Sequence, residues 1–177
     1  MKNKPSRFSE DIHLLYNIIN MNAGEDLSTF IHCTPSEKSA KLIMEEGLIF
    51  ENYLTHTSDY VSGTDLVELN YFRLIRRSYG DYTIVIQIDD KLIQYLNRKI
   101  RNTPFHFSEV LSKRLPDNLN KESTLYQLPE QFILGYFDHI HNRGIKNPRF
   151  DPYYHPSFFE KNLQKLLNYH TNQNSHE

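Results

Sequence analysis

Tryptophan is absent from this 177-residue chain, glycine occurs only 6 times and cysteine once. The lone Cys33 excludes an internal disulfide and suits a reducing compartment. So few glycines leave few flexible hinges. No segment approaches the ~20 apolar residues that would span a bilayer. The N-terminus, Met1 to Arg7, is basic, but Glu10, Asp11 and His13 come directly after it, so no secretory apolar core is present. The expectation is a cytoplasmic protein, with export by a route without a cleaved signal left open. Charge of one sign is also lacking: 20 Lys and Arg stand against 22 Asp and Glu, a net of -2. No global field announces a membrane or nucleic-acid partner, although Arg73, Arg76 and Arg77 form a local basic group.

What is present is aromatic. The 12 tyrosines and 11 phenylalanines supply large rings for one core, and a chain of this length is expected to form one domain. There is no internal repeat or low-complexity linker, and only Thr171 to Glu177 reads as a disordered tail, leaving a single domain over 1–170. Ile12, Leu15, Ile18 and Ile19 predict an amphipathic helix over 8–20.

Thr29 to Cys33 reads as a short strand. The helix after it is punctuated by Thr34 as N-cap, Pro35 in the first turn, Glu37 completing a Thr-x-x-Glu capping box and Gly47 as terminator. Leu48 to Leu54 suits a second strand or an extended loop, and Leu66 to Arg77, carrying Tyr71, has helical spacing. The β-branched and aromatic run Tyr82 to Ile88 is the clearest strand, followed by a short helix that Asp89 could cap, through Leu96. Residues 101–126, polar and holding Pro104 and Pro116, read as a long loop region with about one turn of helix. Phe132 to Phe137 resumes strand character, and Phe158 to Leu167 suggests a closing helix.

Three features carry chemistry. His32 stands at the end of a strand just before a helix N-terminus, where backbone N–H groups and the helix dipole are available to a ligand. On its own it would be read as a partly buried histidine bonded to a carbonyl. Tyr60 and Tyr71, with ten residues between them, come after that strand; on their own they would be packing residues. Glu130 lies where a polar loop becomes an apolar run, ordinarily the place of a solvated strand-start carboxylate. Cys33 as a nucleophile has no evident base. His139, His141 and His155 complete no recognisable zinc spacing.

Histidine, tyrosine pair and glutamate, in that order, resemble the diphtheria-toxin-like and PARP-like branch of the ADP-ribosyltransferases, over roughly residues 29 to 138. The motifs that carry the resemblance are His32-Cys33-Thr34, which looks like the family's His-Gly-Thr or His-Gly-Ser turn, the tyrosine spacing, and Leu128-Pro129-Glu130-Gln131-Phe132-Ile133. The resemblance implies an α+β fold of two small facing β-sheets with peripheral helices and an NAD cleft. It implies that His32 holds a ribose hydroxyl of NAD, that Cys33 binds the nicotinamide amide through its backbone, and that Thr34 helps orient the dinucleotide. Tyr60 and Tyr71 would enclose nicotinamide, and Glu130 would stabilise the charge that develops as nicotinamide leaves. Glu122 is the fallback carboxylate. Leu128 stands where the arginine-modifying branch has an acidic or amide residue, which argues against arginine as the acceptor. Two alternatives stay open: a catalytically silent module that binds an NAD-like ligand, and an RNA 2′-phosphotransferase-like enzyme, which would need several separately positioned arginines.

Overall fold

The computed structural model describes residues 26–51, 58–60, 80–116 and 124–173. The expected helices over 8–20 and 66–77 lie outside these residues, as do Tyr71, Arg73, Arg76, Arg77 and Glu122. The architecture is α+β with two antiparallel sheets, the class read from the sequence.

The strands are β1 (Leu27–Thr34), β2 (Leu48–Glu51), β3 (Ser58–Tyr60), β4 (Tyr82–Asp89), β5 (Lys113–Arg114), β6 (Leu125–Leu128), β7 (Ile133–Asp138) and β8 (Arg143–Lys146). The helices are α1 (Glu37–Glu46), α2 (Asp90–Lys99), the single turn α3 (Phe107–Val110) and α4 (Phe159–Gln173). One sheet has the order β3-β1-β4-β7-β8 and the other β2-β6-β5.

β4 is central because it can be buried on both faces. Ile84, Ile86 and Ile88 point one way and Thr83, Val85 and Gln87 the other, and all six are buried. On the first face Phe30, Ile84 and Ile86 share one continuous core with Leu48, Phe50 and Leu128 of the second sheet and with Leu96, Phe107 and Phe159 of the helices. Each such side chain contributes on the order of 1.5–3 kcal/mol by leaving water. Both sheets therefore draw on one core.

Several elements differ from the sequence reading. Thr34 does not cap α1; it is the last residue of β1, held opposite Tyr82. The cap is Ser36, whose Oγ accepts from the Ser39 N–H at 3.1 Å. Gly47 does end the helix, at φ 97°, and an added Cβ there would collide with the Leu128 carbonyl oxygen. Asp89 caps α2 as expected, its carboxylate accepting from the Lys91 N–H, and the helix runs on to Lys99. Residues 101–126 hold α3, β5 and the start of β6, because Phe107, Val110 and Leu111 are core residues separated by too few positions for a period to show. Glu130 opens a 3-10 turn, Glu130–Phe132, before β7, so it is not itself on a strand. The last helix continues to Gln173, past the start of the expected tail.

Candidate functional site

The strand pairing sets out the site in rows. One row across the sheet is Ser58, His32, Ile84, Tyr136 and Ile145; the next is Thr34, Tyr82, Asp138 and Arg143. Directly opposed residues project to the same face, so His32 and Thr34 share the face of Ile84 and Tyr136, as does Phe30. His32 and Cys33 are half-buried, while Thr34 is buried. β3 lies alongside with Tyr60 in register with Phe30. The structure therefore brings the His32 strand and the Tyr60 strand together at the end of the sheet where α1 begins. Nothing more is described of Tyr60 than this register position.

The turn from β1 into α1 is held by a glycine. Gly80 has φ 132°, and a Cβ on it would stand 2.7 Å from the Pro35 Cα and against the Thr34 carbonyl. Gly80→Ala is expected to push Thr34 and Pro35 away from the start of β4 and to cost about 1–3 kcal/mol, read as a lowered melting temperature.

Beside this turn lies a polar cluster that the sequence reading missed. The Glu37 carboxylate accepts from the Tyr136 hydroxyl at 3.1 Å and from Arg143 Nη2 at 3.0 Å, and Lys41 Nζ lies 3.3 Å away. The hydrogen bond from Lys41 is the main reason its acidity is strengthened. Asp138, with its side chain fully buried, accepts from the Ile140 and His141 N–H groups at 3.0 and 3.1 Å, from His141 Nδ1 at 2.7 Å and from Arg143 Nε at 3.2 Å. Burial alone would raise its pKa; the bonds from His141 and Arg143 outweigh that and hold it below the usual carboxylate range. Arg143 thus clamps the β7–β8 hairpin to the first turn of α1. His139 faces the other way, its Nε2 2.8 Å from Thr83 Oγ1, and His155 lies 3.6 Å from Glu160. Among the described residues no group of three His, Cys, Asp or Glu is placed to hold a metal ion.

Burial and the bond to Glu37 push the Tyr136 phenol up to about 12. A group whose folded pKa is raised contributes stability below its unfolded value and loses it as pH rises through the folded one. Stability is therefore expected to fall by about 1–3 kcal/mol between about pH 10 and 12, and to fall less in Tyr136→Phe. Urea midpoints across that range check it.

Glu130 lies elsewhere. Its backbone N is 3.3 Å from where a Gly47 Cβ would stand, at the C-terminal end of α1. Its carboxylate lies 3.6 Å from Arg149 Nη1 and accepts from Gln131 Nε2 at 3.2 Å, while Arg149 Nη2 donates to the Glu45 carbonyl at 2.9 Å. Thr34 is at the other end of that helix, whose 10 residues span about 15 Å. The structure joins His32, Cys33, Thr34 and the strand of Tyr60; it does not bring Glu130 to them.

The signal for the missed cluster was partly local: an aspartate at a strand end, as Asp138 is, commonly bonds the backbone two and three residues on. Its link to Glu37 spans about a hundred residues and has no local trace. No protein-family model, curated protein or solved structure matches this chain.

Proposed function

We propose that this protein is an ADP-ribosyltransferase-like enzyme that breaks the nicotinamide glycosidic bond of NAD, passes ADP-ribose to a nucleophile on an acceptor other than arginine, and releases nicotinamide. The observation that carries the reading is the pairing of β1 with β3, which sets the strand of Tyr60 beside His32 where α1 begins. In this reading the His32 imidazole bonds a ribose hydroxyl, the Cys33 backbone takes the nicotinamide amide, and Thr34 orients the dinucleotide. Tyr60 and Tyr71 flank the nicotinamide ring. The two-sheet α+β architecture supports the corresponding finer fold.

Bond cleavage needs an anion beside the developing positive charge. Glu130 and Glu122 compete for this role. Glu130, engaged with Arg149 at the far end of α1, is the weaker candidate. We assign the step to the fallback carboxylate Glu122, which stands three residues before β6 in the sequence.

The engagement of Glu130 also favours a second reading, a silent module that binds an NAD-like ligand without cleaving it. Incubating the protein with NAD labelled on both nicotinamide and adenylate separates the two. Nicotinamide release with label transfer supports the enzyme; saturable binding without release supports the module. Neither binding nor release removes both.

A further inference from the structure

The near-neutral net charge conceals a local imbalance. Of 20 basic and 22 acidic residues, six basic and one acidic fall within 91–116, leaving 14 basic against 21 acidic elsewhere. The one acid, Glu109, is buried and accepts from the His106 N–H at 2.9 Å, so it offers no charge to the surface. The cations are Lys91, Arg98, Lys99, Arg101, Lys113 and Arg114; all six are exposed, the first four on or just after α2 and the last two on β5.

α2 sorts these residues by face. Ile93, Leu96 and the capping Ile100 are buried, while Lys91, Tyr95, Arg98 and Lys99 recur at the spacing of one helical face and are exposed. Tyr95 is 38 % exposed, with Lys99 Nζ 5.6 Å from its ring centroid. The stripe from Lys91 to Lys99 is about 12 Å long. Favourable interaction with the helix dipole accounts for cations in the last turn. It does not account for Arg101 beyond the cap, or for a tyrosine ring exposed among them.

We infer that this face of α2, continued by Arg101, binds single-stranded nucleic acid, with the cations on the phosphates and Tyr95 stacked on a base. Interleaved cations and aromatic rings are the working parts of sequence-tolerant single-strand binding. An anionic membrane surface fits less well, because the apolar side chains of α2 point into the core and only Tyr95 could enter a bilayer. Binding at this face is independent of NAD, so it stands or falls separately from the reaction proposed above.

The test is fluorescence anisotropy of a labelled oligothymidine of about 20 nucleotides, with no NAD present. If about four phosphates are neutralised, affinity should fall roughly 50-fold between about 50 and about 200 mM salt. Arg98→Glu/Lys99→Glu should lose at least about tenfold, whereas Lys161→Glu/Lys165→Glu, the same change in net charge on exposed positions of α4, should stay within about twofold. Tyr95→Ala should lose about fivefold to a hundredfold and Tyr95→Phe much less, which keeps the test valid if a charge variant misfolds. Equal losses in the two charge-reversed pairs would overturn the proposal. So would no anisotropy change at about 100 µM protein, or competition by oligoglutamate or by anionic lipid vesicles as effective as that of unlabelled oligothymidine.

Discussion

Glu122→Gln is expected to reduce nicotinamide release by about 10²–10³, and Glu130→Gln to leave it within about threefold. The difference follows from where Glu130 lies. In the proposed reading a carboxylate that stabilises an oxocarbenium-like centre stands beside a ribose bound at His32, whereas Glu130 is separated from Thr34 by the length of α1 and engaged with Arg149. Removing its charge would loosen Arg149, which also donates to the Glu45 carbonyl, so a small loss of stability is the effect to look for in Glu130→Gln. Rates measured at saturating NAD, with melting curves on both variants, decide between the residues. The opposite pattern would return the role to Glu130 and require the ligand to lie at the far end of α1.

Asp138→Ala is expected to be the most destabilising single substitution at the β7–β8 hairpin, at about 3–5 kcal/mol. It removes a buried carboxylate that takes two backbone and two side-chain donors, and leaves the Ile140 and His141 N–H groups unmatched. For a chain of this size that is a fall of roughly 10–15 °C in Tm. Asp138→Asn keeps an acceptor for the N–H groups and should cost less. The pH dependence has a definite sign. Because the folded pKa is lowered, the contribution of Asp138 is present above its unfolded value, about 3.9, and is lost as pH falls through the folded one. The acid limb of the stability curve should therefore flatten in Asp138→Asn.

The parts of the fold legible in the sequence were those set by neighbours along the chain. The run from Tyr82 to Ile88 is a strand because β-branched residues buried on both faces leave no alternative, and Asp89 and Gly47 mark helix ends by their own backbone chemistry. The start of α1 was placed two residues early, at Thr34, whose hydroxyl has the same capping chemistry as that of Ser36. Pairing with Tyr82 decides it, by keeping Thr34 in the sheet. β8 left no trace, since among its four residues only Ile145 is apolar and half-buried. Glu130 was legible as a residue just before a strand, but that Glu130 to Phe132 form a 3-10 turn, with the strand starting at Ile133, was not. His32 was legible as a strand-end residue next to a helix start. That β3 runs along its strand, with Ser58 opposite His32 and Tyr60 opposite Phe30, is a result of β1–β3 pairing, which no local pattern encodes.

Calorimetric titration of NAD into the wild-type protein and His32→Ala tests the central claim most directly, since His32 is the one residue of the assigned site whose neighbours on both sides are described. Saturable binding to the wild type, weakened roughly tenfold in a folded His32→Ala by loss of one hydrogen bond to a ribose hydroxyl, is the predicted result. Equal affinity in the two proteins, or no binding to the wild type, would contradict it.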